Sequence, residues 1–196
     1  LLHLSDPALP VGGFAHSAGL ETYVQEGVVN NVATAGEFVK EMLSKNLHHT
    51  DAAFVSLTYD AAGNDDWNEI KELDEECTAV KLPKEMRQAS QKTGIRLLKI
   101  FQPLFPHPLV DTYTTAVKQQ ELSGHFCIAF GLLAHVMTIA KPDALRGFYY
   151  NAAAGFVVNC VKLVPLSQQQ GQALLFSLQR LLEKLGVHNL SHDKEM

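Results

Sequence analysis

Residues 125–140 read HFCIAFGLLAHVMTIA, the most apolar segment of the chain. Apolar side chains occupy nearly every position, so the segment has neither the polar face of a surface helix nor the alternation of a half-buried strand. The apolar run is shorter than the roughly 18 residues of a membrane span, and His135 and Thr138 interrupt it. A helix that is apolar all round is enclosed by other helices. The stretch therefore predicts a core helix of a globular protein.

Helix signals lie on both sides of this stretch, whereas strand signals are almost absent. Capping boxes, in which side chains satisfy free backbone amides at a helix start, are predicted at residues 34–37 and 167–170. Gly186 is a favoured residue for ending the last helix. No internal repeat or long linker divides the chain. We therefore predict one all-α domain over residues 1–196, with about eight to ten helices packed around the central apolar helix.

Prolines mark further helix boundaries. Pro83 suits the first position of a helix that runs to about Phe101, with Met86 on its inner face. Three prolines between residues 102 and 109 are expected to exclude helix from that segment. Pro142 is predicted to open the next long helix.

The charge and the cysteines of the chain limit the classes of partner and the cellular compartment that we expect. The net charge of −5 is spread along the chain with no block of Lys or Arg, so neither nucleic acid nor an anionic membrane is expected as a partner. The three cysteines are widely spaced and include no C-x-x-C pair. They are interpreted as reduced, mostly buried residues of a cytoplasmic protein. They are Cys77, Cys127 and Cys160.

Motifs for catalysis or nucleotide binding are not evident. The chain contains no G-x-S-x-G, and Gly12-Gly13 is not followed by the G-K-[ST] of a phosphate-binding loop. The acidic residues between Asp65 and Glu76 are interpreted as the solvated face of a helix rather than as paired catalytic carboxylates. We therefore predict no catalytic residue and no cofactor.

Nine histidines raise the question of a metal site. The adjacent pair His48–His49 points about 100° apart on a helix, and His125 and Cys127 diverge in the same way. His188 and His192 are four residues apart, but the last helix is predicted to have ended before them. We interpret the histidines as surface or hydrogen-bonded core imidazoles and predict no metal site.

The opening segment is the part least explained by packing alone. Residues 5–21 read SDPALPVGGFAHSAGLE and combine turn formers, a glycine pair and a histidine. One interpretation is an N-terminal turn that enters the first helix with Ser5 or Asp6 as its cap. The other is a surface shaped for a partner.

This segment resembles the motif S-D-S-x-L-P-x-G-G-F-x-H-S-x-G-L-E of the urease accessory protein UreF family, with Pro7 at a usually small polar position. Three later stretches also resemble the family, in the right order. Residues 85–94 fit E-x-R-x-x-S-x-x-x-G, residues 125–131 fit H-x-x-x-x-F-G, and residues 163–172 fit L-V-P-L-x-Q-x-x-G-Q. The resemblance covers nearly the whole chain.

The resemblance implies an all-helical homodimer that serves urease maturation. Proteins of the family sit between a second accessory protein (UreD, called UreH in some bacteria) and the P-loop GTPase UreG, in a complex that delivers nickel to apo-urease. A chain without a phosphate loop would then take its nucleotide chemistry from a partner. Two alternatives are a metallochaperone that carries nickel through His16 or the tail histidines, and an unrecognised helical enzyme.

Two regions are predicted to bind partners. The first is the opening motif, where the glycines supply backbone freedom. Its predicted partner-binding residues are Gly12, Gly13, Phe14, His16, Ser17 and Glu21.

The second region is the helix opened by Pro142. Arg146 and Tyr150 lie four residues apart, so they face outward side by side, and Tyr23 is a third candidate. The inward stripe is predicted to hold Leu145, Phe148, Ala152 and Phe156. The alternative is that Tyr150 is a half-buried core aromatic covered by the Arg146 stem. The small residues 152–155 add a weak argument for close helix approach within the fold or across a dimer.

Overall fold

The computed structural model describes residues 1–12 and 19–188, and within these ranges it contains ten α-helices and no strand. A π-helical turn (Met42–Asn46) and a 3-10 turn (Leu47–His49) join α2 to α3. The predicted all-α class is confirmed. The helices are α1 Leu20–Gln25, α2 Val32–Glu41, α3 Asp51–Gly63, α4 Trp67–Val80, α5 Lys84–Leu104, α6 Pro108–Lys118, α7 Phe126–Val136, α8 Lys141–Leu163, α9 Gln168–Ser177 and α10 Gln179–His188.

Helix α7 is the centre of the core, as its sequence predicts. Nine of its eleven residues are buried. It packs against α3 and α5 along most of its length and also contacts α4, α6 and α8. The ring of Phe130 lies 5.2 Å from that of Phe148 on α8. Among the described helices, none combines the length and the apolar character needed to cross a bilayer.

The start of α7 is fixed by one buried carboxylate. Asp74 of α4 is 1% exposed and accepts hydrogen bonds from the backbone N–H groups of Ser123 (2.6 Å), Gly124 (3.1 Å) and His125 (3.3 Å). The Tyr113 hydroxyl donates to it at 2.7 Å, and burial together with the Asp74 charge raises the pKa of Tyr113, which keeps that donor protonated. A negative charge at a helix N-terminus is favourable, and here its oxygens are well supplied with donors.

Two of the stretches that resemble the UreF family meet at this point. Ser90 Oγ of α5 lies 3.1 Å from His125 Nδ1 and accepts a hydrogen bond from the Phe126 amide at 3.3 Å. Gly94 lies so close to the Gly124 carbonyl that an added Cβ would overlap it. The spacing of serine and glycine in α5 is therefore explained by the close approach of α5 to the start of α7.

One of the two predicted capping boxes is correct and the other is misplaced by three residues. Ser167 and Gln170 form the box at the start of α9. At α2 the N-cap is Asn31, whose side chain accepts from the Ala33 and Thr34 amides, while the Thr34 hydroxyl accepts from the Asn31 amide. Asparagine caps as well as threonine does, so the helix begins earlier than predicted.

The proline predictions are partly wrong. Pro83 is the N-cap of α5 rather than its first residue, and Met86 is 41% exposed instead of inward. Helix α5 continues through Pro103 and ends at Leu104, because the ring disturbs only the last turn. Pro108 is the first residue of α6, a position where its missing N–H costs nothing.

The predicted last helix is two helices, which meet at Leu178, and α10 continues past Gly186 to His188. Gly186 is therefore not the residue after the helix end. A Cβ at this position would lie 2.9 Å from Arg146 Cγ, so the glycine lets α10 approach α8 closely. Sequence alone does not separate these two uses of glycine.

Candidate partner-binding surface

The opening motif is only partly within the described residues. Gly13, Phe14, His16 and Ser17 lie outside them. Glu21 is exposed in the first turn of α1.

Gly12 is held in a conformation that favours glycine. Its φ is +81°, and an added Cβ would overlap the guanidinium of Arg96 on α5. That guanidinium donates to the Val11 carbonyl at 3.1 Å. The expected need for backbone freedom in the motif is met at Gly12.

The residues before Gly12 form a turn that lies on the core rather than a helix cap. Leu4 and Leu9 are buried, and the Asp6 carboxylate accepts from the Ala8 amide at 2.8 Å. Helix α1 begins at Leu20 with Gly19 at its N-cap, so the prediction that Ser5 or Asp6 caps the first helix is wrong. The Asn151 side chain of α8 donates to the Ser5 carbonyl at 3.4 Å, which ties this turn to α8.

Arg146 and Tyr150 lie one turn apart on the outer side of α8, where their side chains are 46% and 44% exposed. Arg146 donates to Asp143 at 2.9 Å, an exposed pair on the same helix that contributes less than about 1 kcal/mol. Leu145 and Phe148 are buried beneath them, as predicted.

The lower half of the predicted inward stripe packs against the core but is not fully buried. Ala152 and Phe156 are only partly buried, whereas Tyr149 and Ala153 are fully buried. Because α8 is enclosed along several sides, its buried face is wider than a single stripe.

Each exposed side chain borders a depression. Arg146 lines one of about 560 Å³ between α8 and α10, together with Glu183, Lys184 and Val187. Tyr150 lines another of about 490 Å³ between α8 and α9, which also contains Phe176. Arg146 and Tyr150 thus border two separate depressions along α8.

Phe176 is a surface aromatic that the sequence analysis missed. It is 72% exposed on α9, and the carboxamides of Gln169, Gln172 and Gln179 line the depression around it. Helical spacing could have indicated its exposure, because position 176 lies on the side of α9 opposite to the buried residues Gly171 and Leu174.

Tyr23 lies in a separate groove. It is 47% exposed, and its ring lies 5.7 Å from that of Phe38 on α2. The groove has a volume of about 450 Å³ and is lined by apolar side chains with Glu37 and Glu41 among them. The structure therefore brings Arg146 and Tyr150 together but places Tyr23 at a different depression.

Two histidines serve the core, as interpreted from the sequence. His48 Nδ1 lies 2.8 Å from the Tyr149 hydroxyl, and His125 Nε2 lies 2.9 Å from Thr78 Oγ1. In the described part of the chain, no three His, Cys, Asp or Glu side chains are placed to hold a metal ion. His16, His192 and the His188 side chain lie outside the described residues, so the metallochaperone alternative is not tested there.

All three cysteines are buried and free, as predicted. Their wide spacing in the sequence does not persist in the fold, because Cys77 Sγ lies 3.5 Å from Cys127 Sγ.

A family model for UreF matches residues 29–179, which span α2 to α9. The chain belongs to the UreF family. It is 46% identical over 193 residues to the urease accessory protein UreF of Actinobacillus pleuropneumoniae serotype 5b (strain L20), covering 98% of this chain and 85% of that protein. The UreF of Haemophilus influenzae (strain PittEE) is 44% identical over 195 residues, covering 100% and 83%.

A more distant UreF, from Bacillus sp. (strain TB-90), is 31% identical over 191 residues and covers 97% of this chain and 84% of its own. The UreF family model includes the whole of α8 and α9, and with them Arg146, Tyr150 and Phe176. The alignments with the UreF relatives extend beyond the family model toward both ends of the chain.

Proposed function

We propose that this chain is a cytoplasmic urease maturation factor that holds other proteins together. It binds a UreD/UreH-type accessory protein and recruits or regulates a UreG-type GTPase for nickel insertion into apo-urease. Its relatives are named urease accessory proteins. The observation that carries the proposal is the exposed Arg146–Tyr150 pair on α8 of a UreF-family chain.

The chemistry of this face suits a protein partner. Arginine forms planar, paired hydrogen bonds, and tyrosine offers a large rigid ring with a polar tip, so both dominate interface energetics. Phe176 adds an exposed aromatic at the edge of the same depression as Tyr150. The depressions on either side give a partner's side chains concave places to enter. We assign this face to the GTPase.

We also propose that the chain has no catalytic activity of its own. The buried polar groups that would attract a catalytic interpretation, Asp74 and His125, are hydrogen-bonded within the start of α7. The sequence has no phosphate-binding loop, so GTP chemistry belongs to the partner. Calorimetry with GTP and magnesium is expected to give no heat of binding, and a micromolar dissociation constant would contradict the assignment.

Co-purification tests the scaffold role. The tagged chain is mixed with UreD-type and UreG-type proteins and apo-urease, with and without nickel and GTP. We expect one complex that contains all the components and that loses the GTPase when this chain is omitted. A complex that forms equally well without the chain would refute the scaffold role. Tight stoichiometric nickel binding by the isolated chain would instead favour the metallochaperone.

A further inference from the structure

Two buried thiols face each other across the core. Cys77 of α4 and Cys127 of α7 are 50 residues apart in sequence, both are 0% exposed, and their sulfurs lie 3.5 Å apart. A disulfide has a length of about 2.0 Å, so closing the gap requires each sulfur to move by less than about 1 Å. Small rotations of the two side chains supply movements of this size.

The surroundings make the two thiols unequal. The hydrogen bond from Cys127 lowers the pKa of Cys77 to about 6, and His125 and Lys81 act in the same direction against the opposing effect of burial. Burial and the neighbouring Cys77 raise the pKa of Cys127. The Lys81 ammonium, whose side chain is 11% exposed, is held by Asp51 at 2.7 Å. These opposite shifts favour the thiolate on Cys77 over the thiolate on Cys127.

We propose that Cys77 and Cys127 form an oxidisable dithiol that closes to an intramolecular disulfide between α4 and α7. The facing sulfurs and the cluster of Lys81, His125 and Asp51 around them favour this closure whether or not the proposed function holds.

The oxidant is a hydroperoxide, and the step balances with hydrogen peroxide. The Cys77 thiolate attacks one peroxide oxygen, the O–O bond breaks, and proton uptake releases water and leaves a sulfenic acid on Cys77. The Cys127 sulfur then attacks Cys77 Sγ, the S–O bond breaks, and a second water leaves with the Cys127 proton. The two thiols lose two electrons in total, and one peroxide becomes two waters.

The hydroperoxide reaches Cys77 from the C-terminal end of α4. Cys77 lies one turn before the last residue of that helix, Val80, which is 54% exposed. The turn to α5 is held by Arg87, which donates to the Lys81 carbonyl at 2.9 Å. Opening of this last turn exposes the thiolate without unfolding α7, because helix ends open at a lower free energy than core helices.

Cys160 of α8 is a matched internal control. It is also 0% exposed, but burial raises its pKa to about 11. Cys77 has the lowered pKa and Cys160 the raised one, so at neutral pH Cys160 is the less ionised of the two thiols. If thiolate content governs reactivity, Cys77 should be oxidised at least about 100-fold faster than Cys160.

The test treats the whole chain with hydrogen peroxide at pH 7, removes the peroxide, unfolds the chain in the presence of an alkylating agent that blocks the remaining thiols, and digests the protein for mass spectrometry. We expect a cross-linked peptide pair joining Cys77 to Cys127, a mass loss of two hydrogens, an alkylated Cys160, and reversal by dithiothreitol. The variant Cys160→Ser should form the same link. The variant Cys127→Ser should instead retain a sulfenic acid on Cys77 that dimedone traps.

Three results would overturn the proposal. They are a Cys77 that remains alkylatable after peroxide treatment, oxidation of Cys160 at the same rate as Cys77, and a link that joins two chains instead of two helices of one chain. The Cys160→Ser variant leaves the pair intact, so the assay remains decisive even if substitutions at Cys77 or Cys127 impair folding.

Discussion

Replacing Arg146 by alanine and Tyr150 by aspartate removes the two exposed side chains proposed to bind the GTPase and leaves the buried side chains beneath them in place. We expect the double variant to lose capture of the GTPase while it keeps its helix content and its oligomeric state. The physical reason is that the changes fall on side chains that are 46% and 44% exposed, whereas Leu145 and Phe148, which support the fold, are untouched.

The magnitudes separate loss of binding from loss of folding. Truncating one interface anchor of these types costs about 2 kcal/mol or more, roughly thirtyfold in affinity. Two neighbouring anchors do not add simply, so we expect between about 30-fold and 1,000-fold for the pair. Breaking the exposed Arg146–Asp143 pair costs the fold less than about 1 kcal/mol. Since domains of this size are stable by about 5–15 kcal/mol, the variant should remain folded.

The assay is pull-down of the UreG-type GTPase by the tagged chain with its UreD-type partner, with circular dichroism on the same samples. The control Lys92→Ala with Ile95→Asp makes an equivalent change on α5, where Ile95 is 45% exposed. A further variant, Arg146→Gln, removes the charge but keeps the carbons that contact α10 at Gly186. Normal capture by the double variant, or equal loss in the α5 control, would place the GTPase elsewhere.

Three further predictions concern shape, stability and assembly. Gly12→Val should reduce urease activation far more than Glu75→Ala on the exposed side of α4, because a side chain at φ +81° is strained and would overlap Arg96; equal activation would remove the special role of the motif. Asp74→Ala should lower the free energy of unfolding by about 3 kcal/mol or more, because it leaves buried backbone amides without an acceptor, and urea denaturation with an unchanged midpoint would contradict this. Light scattering should return about twice the 21.6 kDa of one chain, and a monomer mass at micromolar concentration would refute the homodimer that the family resemblance implies.

The central helix could be predicted because a helix that is buried on all sides appears in the sequence as a continuous apolar run. A helix without a polar face is stable only when other helices surround it, and this conclusion does not require knowing which helices they are. Capping was less secure, because Asn31 and Thr34 are both competent caps and only the backbone distinguishes them. Gly186 was misinterpreted for a similar reason, since a glycine that ends a helix and one that admits a neighbouring helix look alike in sequence.

The long-range contacts of the cysteines and of Asp74 could not be predicted from sequence patterns. Cys77 and Cys127 are 50 residues apart, and nothing in either helix's periodicity states that their sulfurs meet. The same holds for Asp74, which looked like one more acidic residue of a solvated helix but is 1% exposed beneath the start of α7. These residues are distinguished by what they contact in the folded chain, and the local pattern of a single sequence does not show those contacts.

Activation of apo-urease in a reconstituted system shows whether this chain acts as a scaffold in urease maturation. Apo-urease, nickel, GTP and the UreD-type and UreG-type proteins are combined with and without this chain, and urease activity and bound nickel are measured against the amount of chain added. We expect activation to require the chain and to rise until the chain is stoichiometric with the complex, because a scaffold remains part of the complex it holds. Full activation without the chain, or saturation at a small catalytic fraction, would contradict it.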